Sequence, residues 1–456
     1  MINLSLKMLA EILGNNAGSL SDASFCGVTI DSRKSCEGKL FVAIRGLNFD
    51  GHNFVDMAYQ NGATVALVEQ RQPSEIEQIE VADCKQAMGQ LANYWRRHCD
   101  PCVIALTGSN GKTTVKEMLF RILVRQATSL ATHGNFNNDI GVPLTLFELE
   151  QDHDFAIIEM GANHRGEIAR LAEIAAPDIV YVNNVAAAHL AGFGDVRGVM
   201  EAKGELYAYC AVEQRALFNA DEVASQYWHG LCAAETQLSC GLNNAADVTA
   251  TWSATGESLQ IEFNYQGQSR GCELGVIGEH NVRNALAAVS LAILAGIDFS
   301  VAVDNLAGFS AVKGRLQILS GPANSRLIDD SYNANPDSLE AGIEVLCSLP
   351  GSPWLALGDM GELGAEAEAL HRQAARAAAA HGVEKFFGIG EMSCIASAEF
   401  GTAGYCYEDI EEMAKSILAQ IHQGVNLLVK GSRAAGMERL IAMLLQSANG
   451  GDVNAV

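Results

Sequence analysis

An α/β protein of three domains, with a parallel sheet at its centre, is the fold this sequence predicts, and three observations lead there. Short runs that are apolar on both faces recur along the chain and end in polar tips, which is the pattern of buried parallel strands. Amphipathic or alanine-rich stretches of helical period lie between them, giving an alternating β/α order. The 456 residues suffice for about three domains at roughly 150 residues each.

In chain order, residues 64–68 form the first such run. Residues 69–80, which carry Arg71-Gln72-Pro73-Ser74, break the pattern and are expected to be an excursion before a helix over 85–97. Cys102-Val103-Ile104-Ala105-Leu106 is the next strand, followed by a glycine-containing loop and a helix over 115–124. Strand 155–158, helix 168–175 and strand 179–182 continue the alternation. Around 248–273, Thr249, Thr251, Ile261 and Phe263 stand at strand-like spacing, and 281–295 returns to helical period. The turn Val312-Lys313-Gly314-Arg315 opens a third block, with strands at Leu327-Ile328, 354–357 and 427–429 and an alanine-rich helix over 365–380. The expected division is 1–84, 85–311 and 312–456. In open α/β sheets ligands bind beyond the carboxyl ends of the strands, so the residues just after each run are the ones to weigh.

Composition narrows the partners. Apolar residues make up 49% and charged residues 18%, a core-forming balance. A formal net charge of −24 argues against nucleic acid and anionic membranes, which are bound through basic surface, so a phosphorylated ligand must be met by local positive groups. Residues 1–13 are interrupted by Lys7 and Glu11 and lack the apolar core of a signal peptide. No run approaches the ~20 apolar residues of a membrane span. The expectation is a cytoplasmic monomer. Twelve cysteines without regular spacing read as reduced thiols, and Cys99-Asp100-Pro101-Cys102, with no second pair, reads as an ordinary pair of core cysteines.

The strand at 102–106 runs straight into Thr107-Gly108-Ser109-Asn110-Gly111-Lys112-Thr113-Thr114. Gly108 and Gly111 let the backbone turn so that several N–H groups converge on an anion, and the helix that follows points its positive end at the same spot. Lys112 would reach the outer phosphates and the Thr113 hydroxyl would ligate Mg²⁺. The usual G-x-x-x-x-G-K-[ST] pattern lacks its first glycine here, because Leu106 occupies it.

Three further clusters surround this loop in sequence. Glu159 ends the run 155–158, where a carboxylate beside a phosphate loop can hold Mg²⁺ or its water shell, although a strand-end Glu can also be mere surface. Asn183-Asn184 leads to His189 and then to Lys203; a lysine cannot ligate a cation, so Lys203 either contacts phosphate or is chemically altered. Asn281 and Asn284 stand one helical turn apart at a helix start, where Asn281 can serve as an N-cap and where amides can also read an adenine edge.

Taken together these residues resemble those of the Mur ligases, the family of ATP-dependent amino-acid and peptide ligases of peptidoglycan synthesis, and the resemblance covers nearly the whole chain. The family form of the phosphate loop also lacks the first glycine. The resemblance implies a UDP-substrate-binding α/β domain, a central domain of the phosphate-loop ATPase type, and a Rossmann-like carboxyl-terminal domain. It implies that Gly108, Ser109, Asn110, Gly111, Lys112, Thr113 and Thr114 hold the phosphates of ATP. Thr113, Glu159, His189 and Lys203 would serve Mg²⁺, with Lys203 carbamylated into an anionic oxygen donor. Asn281 and Asn284, in His280-Asn281-Val282-Arg283-Asn284, match a segment near adenine. Arg315 matches an arginine that reaches the γ-phosphate, and Asp330 an aspartate near the nucleotide. Lys112, Lys203, His189 and Arg315 are thereby the expected catalytic set.

Finer motifs resemble the branch that joins D-alanyl-D-alanine to UDP-N-acetylmuramoyl-tripeptide. These are Gly358-Asp359-Met360-Gly361-Glu362-Leu363-Gly364 with His371, Lys430-Gly431-Ser432-Arg433, and Asn135-Phe136-Asn137-Asn138-Asp139, in which Asn137 and Asn138 are expected at the substrate. Asp31-Ser32-Arg33 resembles the UDP-sugar-binding part, with Ser32 and Arg33 as contacts. The alternatives are another Mur ligase or a folate-type polyglutamate ligase, which shares the central loop but is expected to lack this amino-terminal domain. A GTPase-class switch would need a guanine-reading N-K-x-D segment, which is absent.

Overall fold

The computed structural model describes residues 1–16, 20–46, 48–187 and 190–448. Its centre is a nine-stranded sheet in the order Gln268–Leu274, Ser258–Tyr265, Val248–Thr255, Thr236–Gly241, Arg215–Asn219, Ile179–Val182, Cys102–Thr107, Phe155–Glu159 and Ser129–Ala131. The strands from Thr236–Gly241 to Ser129–Ala131 are parallel, and the three at the other edge are an antiparallel meander. Cys102–Thr107 lies between Phe155–Glu159 and Ile179–Val182, and its Val103 to Leu106 are wholly buried. Alternate side chains face opposite layers, as strand geometry requires. Ile104 and Leu106 pack with Val115, Met118 and Leu119 of the helix Lys112–Leu123 and with the helix Glu279–Leu294. Val103 and Ala105 pack with Leu91 and Trp95 of the helix Cys84–Cys99.

That second layer is continuous with the amino-terminal sheet, whose parallel strands are Val28–Thr29, Leu40–Val42, Val65–Val68 and Glu77–Glu80. The last of these corrects the expected excursion at 69–80. Glu77-Gln78-Ile79-Glu80 is too polar to read as a strand, yet Gln78 and Ile79 are buried in parallel register with Ala66 and Leu67. The carboxyl-terminal sheet runs Gln317–Ser320, Arg326–Asp330, Val425–Lys430, Ser352–Gly358, Lys385–Ile389 and Gly404–Tyr407, parallel except for the first strand.

Two further expectations are corrected. Cys394 and Cys406 form a disulfide, because the helix Glu391–Phe400 and the strand Gly404–Tyr407 bring together two thiols only 12 positions apart in sequence. Asn281 does not cap its helix, which begins at Glu279 on a Gly278 cap with φ 89°. Asn281 instead donates its amide to the Ile277 carbonyl at 2.8 Å from inside the first turn.

Candidate active site

The phosphate loop sits where the three central strands end, and asparagine side chains fix its shape. Asn184 Oδ1 accepts from the Asn110 backbone N–H at 2.8 Å, and Asn183 Nδ2 donates to the Asn110 carbonyl at 2.8 Å. Asn183 in turn donates to Asn284 Oδ1 at 3.2 Å and accepts from the Tyr181 hydroxyl at 2.9 Å. Asn284 donates to Asn281 Oδ1 at 3.2 Å. One amide chain thus joins the loop to the helix Glu279–Leu294.

Gly111, at φ 78°, caps the helix Lys112–Leu123, which starts three residues earlier than its apolar period suggested. Lys112 and Thr113 therefore lie in the first helical turn, where the dipole favours an anion. A Cβ on Gly111 would stand 2.4 Å from Asn284 Oδ1 and 2.6 Å from Asn183 Nδ2. Gly111→Ala combines that clash with a left-handed backbone that costs an L side chain about 1–2 kcal/mol. It is expected to weaken ADP binding by about tenfold or more, measurable by calorimetry, and to lower the melting temperature.

Lys112 Nζ donates to the Gly108 and Ser109 carbonyls at 2.6 and 3.2 Å, folding back over the loop it serves. Burial lowers its pKa, the Glu159 carboxylate opposes that shift, and Arg315 adds to it. Glu159 is itself buried, 2% exposed, and is met by neutral donors: Thr113 Oγ1 at 3.0 Å and Asn137 Nδ2 at 2.9 Å. Among the described residues no lysine or arginine forms an ion pair with it. A buried carboxylate without a cation, beside a hydroxyl and a phosphate loop, is a hard-oxygen environment that fits Mg²⁺, which keeps several waters and takes its other oxygens from phosphate.

Lys203 lies in the helix Val196–Tyr209 and is 1% exposed, with its ammonium 6.0 Å from the centre of the Phe193 ring. Burial pushes its pKa well below the ordinary lysine value, and the positive charge of Lys112 pushes the same way. Among the described residues no carboxylate pairs with it. Both effects disfavour its charged form. His189 lies outside the described residues.

The carboxyl-terminal domain closes over the loop. Arg315 Nη2 donates to Thr113 Oγ1 at 3.4 Å, and its guanidinium stacks 4.0 Å above the Tyr332 ring. The next residue, Leu316, is buried at φ 52°, a strained backbone conformation, and its N–H donates to Asp330 Oδ1 at 3.3 Å. Asn335 caps the helix Pro336–Ser348 and donates from Nδ2 to Asn110 Oδ1 at 2.8 Å. Asp337 Oδ2 accepts from the Ala187 N–H at 3.1 Å. Between the domains is a cleft of about 1440 Å³, lined by the loop, Glu159, Lys203, Asn284, Arg315 and Lys430, among others.

The structure brings most expected residues to this cleft, with changed surroundings. Asp330 lines it, but its Oδ2 is held 2.5 Å from the buried Lys430 ammonium. Asn137 touches Glu159, the expected metal carboxylate, whereas Asn138 spends its Oδ1 on the N–H groups of Ile140 and Gly141 at 3.2 and 2.9 Å. Ser32 and Arg33 are not brought into the lining. Ser32 is buried in the amino-terminal domain, and Arg33 makes a two-point pair with Asp31 at 2.8 and 3.0 Å. The clamping residues Asn183, Asn335 and Lys430 were not in the expected site, although Asn183 directly follows an apolar strand, which is the signal that marks it.

Comparison with known proteins gives three adjoining family matches: the Mur ligase family catalytic domain over residues 24–96, the Mur ligase middle domain over 106–292, and the glutamate ligase domain of Mur ligases over 314–433. The chain belongs to the Mur ligase family, whose members form amide bonds with ATP. Among its relatives is the UDP-N-acetylmuramoyl-tripeptide–D-alanyl-D-alanine ligase of Escherichia coli K12, 39% identical over 98% of this chain and 99% of that protein. The ligase of the same name from Haemophilus influenzae is 37% identical over 97% of this chain and 99% of its own length. A MurF crystal structure from Acinetobacter baumannii superposes with a TM-score of 0.92 at 34% identity, covering 98% of this chain and 99% of that one. A MurF ligase from Thermotoga maritima in complex with ADP gives 0.83 at 25% identity, covering 93% of this chain and 98% of that one. Among the described residues no helix is long and apolar enough to cross a membrane.

Proposed function

We propose that this chain joins D-alanyl-D-alanine to UDP-N-acetylmuramoyl-tripeptide with ATP, in peptidoglycan precursor synthesis. The observation that carries this is the end-to-end match to ligases of that name, amino-terminal domain included, on a chain whose phosphate loop is closed by its third domain. The match of residues 24–96 to the Mur ligase family favours this reading over a folate-type ligase. We assign the domains as 1–84, 85–311 and 312–456, and the protein as a cytoplasmic monomer that binds no nucleic acid.

A carboxylate is a poor electrophile, so the tripeptide's terminal carboxylate first attacks the γ-phosphorus of ATP and ADP leaves. The amine of D-alanyl-D-alanine then attacks the acyl carbon of the resulting acyl phosphate, the C–O bond to phosphate breaks, and the amine loses a proton. Positioning and charge neutralisation supply most of the acceleration. Residues 108–114 hold the phosphates, Lys112 and Arg315 offset charge on the group in transfer, and Asn281, Asn284 and Asp330 flank the nucleoside end. Thr113, Glu159, His189 and a carbamylated Lys203 are the donors for Mg²⁺, which when bound supplies Lewis-acid polarisation of phosphate oxygens. Burial, which disfavours the charged form of Lys203, supports carbamylation, because only a neutral amine adds to CO₂. Ser32 and Arg33 serve the UDP moiety, and Asn137 and Asn138 the acyl end. Phosphate release is expected only when ATP, the UDP-tripeptide and D-alanyl-D-alanine are all present. No release with these, but release with a folate and glutamate, would overturn the reading.

A further inference from the structure

Asn335 divides one amide between two tasks. Its Oδ1 accepts from the Ser338 N–H at 2.9 Å and so caps the helix Pro336–Ser348. Its Nδ2 donates across the domain gap to Asn110 Oδ1 at 2.8 Å. Capping alone does not call for asparagine, because serine and aspartate cap about as well and carry no amide donor. The helix takes the oxygen, and the donor is spent on the phosphate loop. Asn110 is held ready to receive it. Its backbone N–H donates to Asn184 Oδ1 at 2.8 Å, and its carbonyl accepts from Asn183 Nδ2 at 2.8 Å and from Asn184 Nδ2 at 3.1 Å. With its backbone fixed by the two residues that follow the strand Ile179–Val182, Asn110 turns its side chain to the third domain, where its own Nδ2 meets Asn335 Oδ1 at 3.5 Å. Asn335 is only 8% exposed, so little water can replace the partner if this bond is lost.

The same short segment also carries Arg315. Residues 314–316 are held against 330–332 at three points. The Tyr332 N–H donates to the Gly314 carbonyl at 3.3 Å, the Leu316 N–H donates to Asp330 Oδ1 at 3.3 Å, and the Arg315 guanidinium lies 4.0 Å from the centre of the Tyr332 ring. Lys430 ties the segment down from the neighbouring strand, donating to Asp330 Oδ2 at 2.5 Å and to the Asn333 carbonyl at 3.0 Å. Segment 330–335 is therefore one piece, with Arg315 at one end and the grip on Asn110 at the other. Arg315 itself meets the loop through a long bond, 3.4 Å to Thr113 Oγ1, which is too weak to fix a flexible side chain, whereas the amide bond at 2.8 Å is of ordinary strength. We propose that Asn335 is a positioning residue for ligation: its bond to Asn110 sets the third domain against the phosphate loop and so places the Arg315 guanidinium where the γ-phosphoryl group is transferred. This rests on the reading that the chain ligates by phosphoryl transfer from ATP.

The test separates the two tasks of the amide. Asn335→Ser keeps a capping oxygen but is too short to reach Asn110, whereas Asn335→Ala loses the cap as well. Asn335→Ser is expected to lower kcat about tenfold or more, with KM for the UDP-tripeptide and the affinity for ADP held within about twofold. Asn335→Ala should show the same fall in kcat together with a lower melting temperature than Asn335→Ser. Adding Asn335→Ser to Asn110→Ala, or to Arg315→Ala, is expected to change kcat by less than about twofold, because the contact, or the group it places, is already gone. An unchanged kcat in Asn335→Ser makes the residue a helix cap alone and overturns the proposal. A repeat of the full loss in the Arg315→Ala background shows that Asn335 does not act through Arg315 and overturns it too. So does an ADP affinity that falls in step with kcat, which makes Asn335 a nucleotide contact. If the unsubstituted enzyme fails to ligate with ATP, the functional reading falls and takes this proposal with it. Turnover by that enzyme with no effect of Asn335→Ser removes the proposal alone.

Discussion

Lys112→Ala is expected to lower kcat for ligation by about 10³-fold or more, while the affinity for the UDP-tripeptide changes by less than about threefold. The side chain lies over the loop carbonyls of Gly108 and Ser109, so it belongs to the phosphate end of the cleft. Removing it takes away a positive charge where negative charge moves from ATP to the acyl group. The amino-terminal domain, which is assigned to the UDP moiety, is untouched by the change. Steady-state phosphate release and equilibrium binding of the UDP-tripeptide measure the two effects separately. Equal loss of both would contradict that division of labour.

Lys203→Arg carries the second large effect and separates two chemistries that the sequence leaves open. Arginine keeps the positive charge and most of the length, but it stays protonated in a protein and cannot form the lysine carbamate. If the Lys203 amine becomes an anionic oxygen donor, the variant should lose about 10²-fold or more in kcat with ADP affinity retained. Unsubstituted enzyme equilibrated with ¹³C-bicarbonate should then show a carbamate carbonyl resonance that the variant lacks. Near-normal turnover by Lys203→Arg would instead make the residue a simple phosphate-contacting cation.

The parts of this molecule that were legible in the sequence are those whose cause is local. The strand Cys102–Thr107, its glycines and the Lys-Thr that follow lie next to one another in the chain, so their geometry follows from strand termination, backbone permissiveness and helix polarity. Glu159 was legible for the same reason, as a carboxylate at the end of an apolar run. What was not legible depends on which distant segment arrives opposite. Asn335, 225 positions from Asn110, looks like an ordinary helix cap, and its second bond to the loop exists only because the third domain docks there. Asp330 reads as a free carboxylate until Lys430 is paired beside it in the parallel register of Arg326–Asp330 with Val425–Lys430. Glu77–Glu80 lacks strand composition because it lies at the edge of its sheet, where one row of backbone groups is unpaired and side chains reach water. The Cys394–Cys406 disulfide likewise depends on a helix and a strand packed side by side.

The central claim is that this cleft activates a carboxylate by transferring the γ-phosphoryl group of ATP to it. A tripeptide labelled with ¹⁸O in its reacting carboxylate, incubated with ATP and D-alanyl-D-alanine, tests the claim directly through the mass of the released phosphate. An acyl phosphate cleaved at its C–O bond leaves one ¹⁸O in each phosphate and the other in the new amide carbonyl, which is the result expected. Phosphate released without label during product formation would contradict the account.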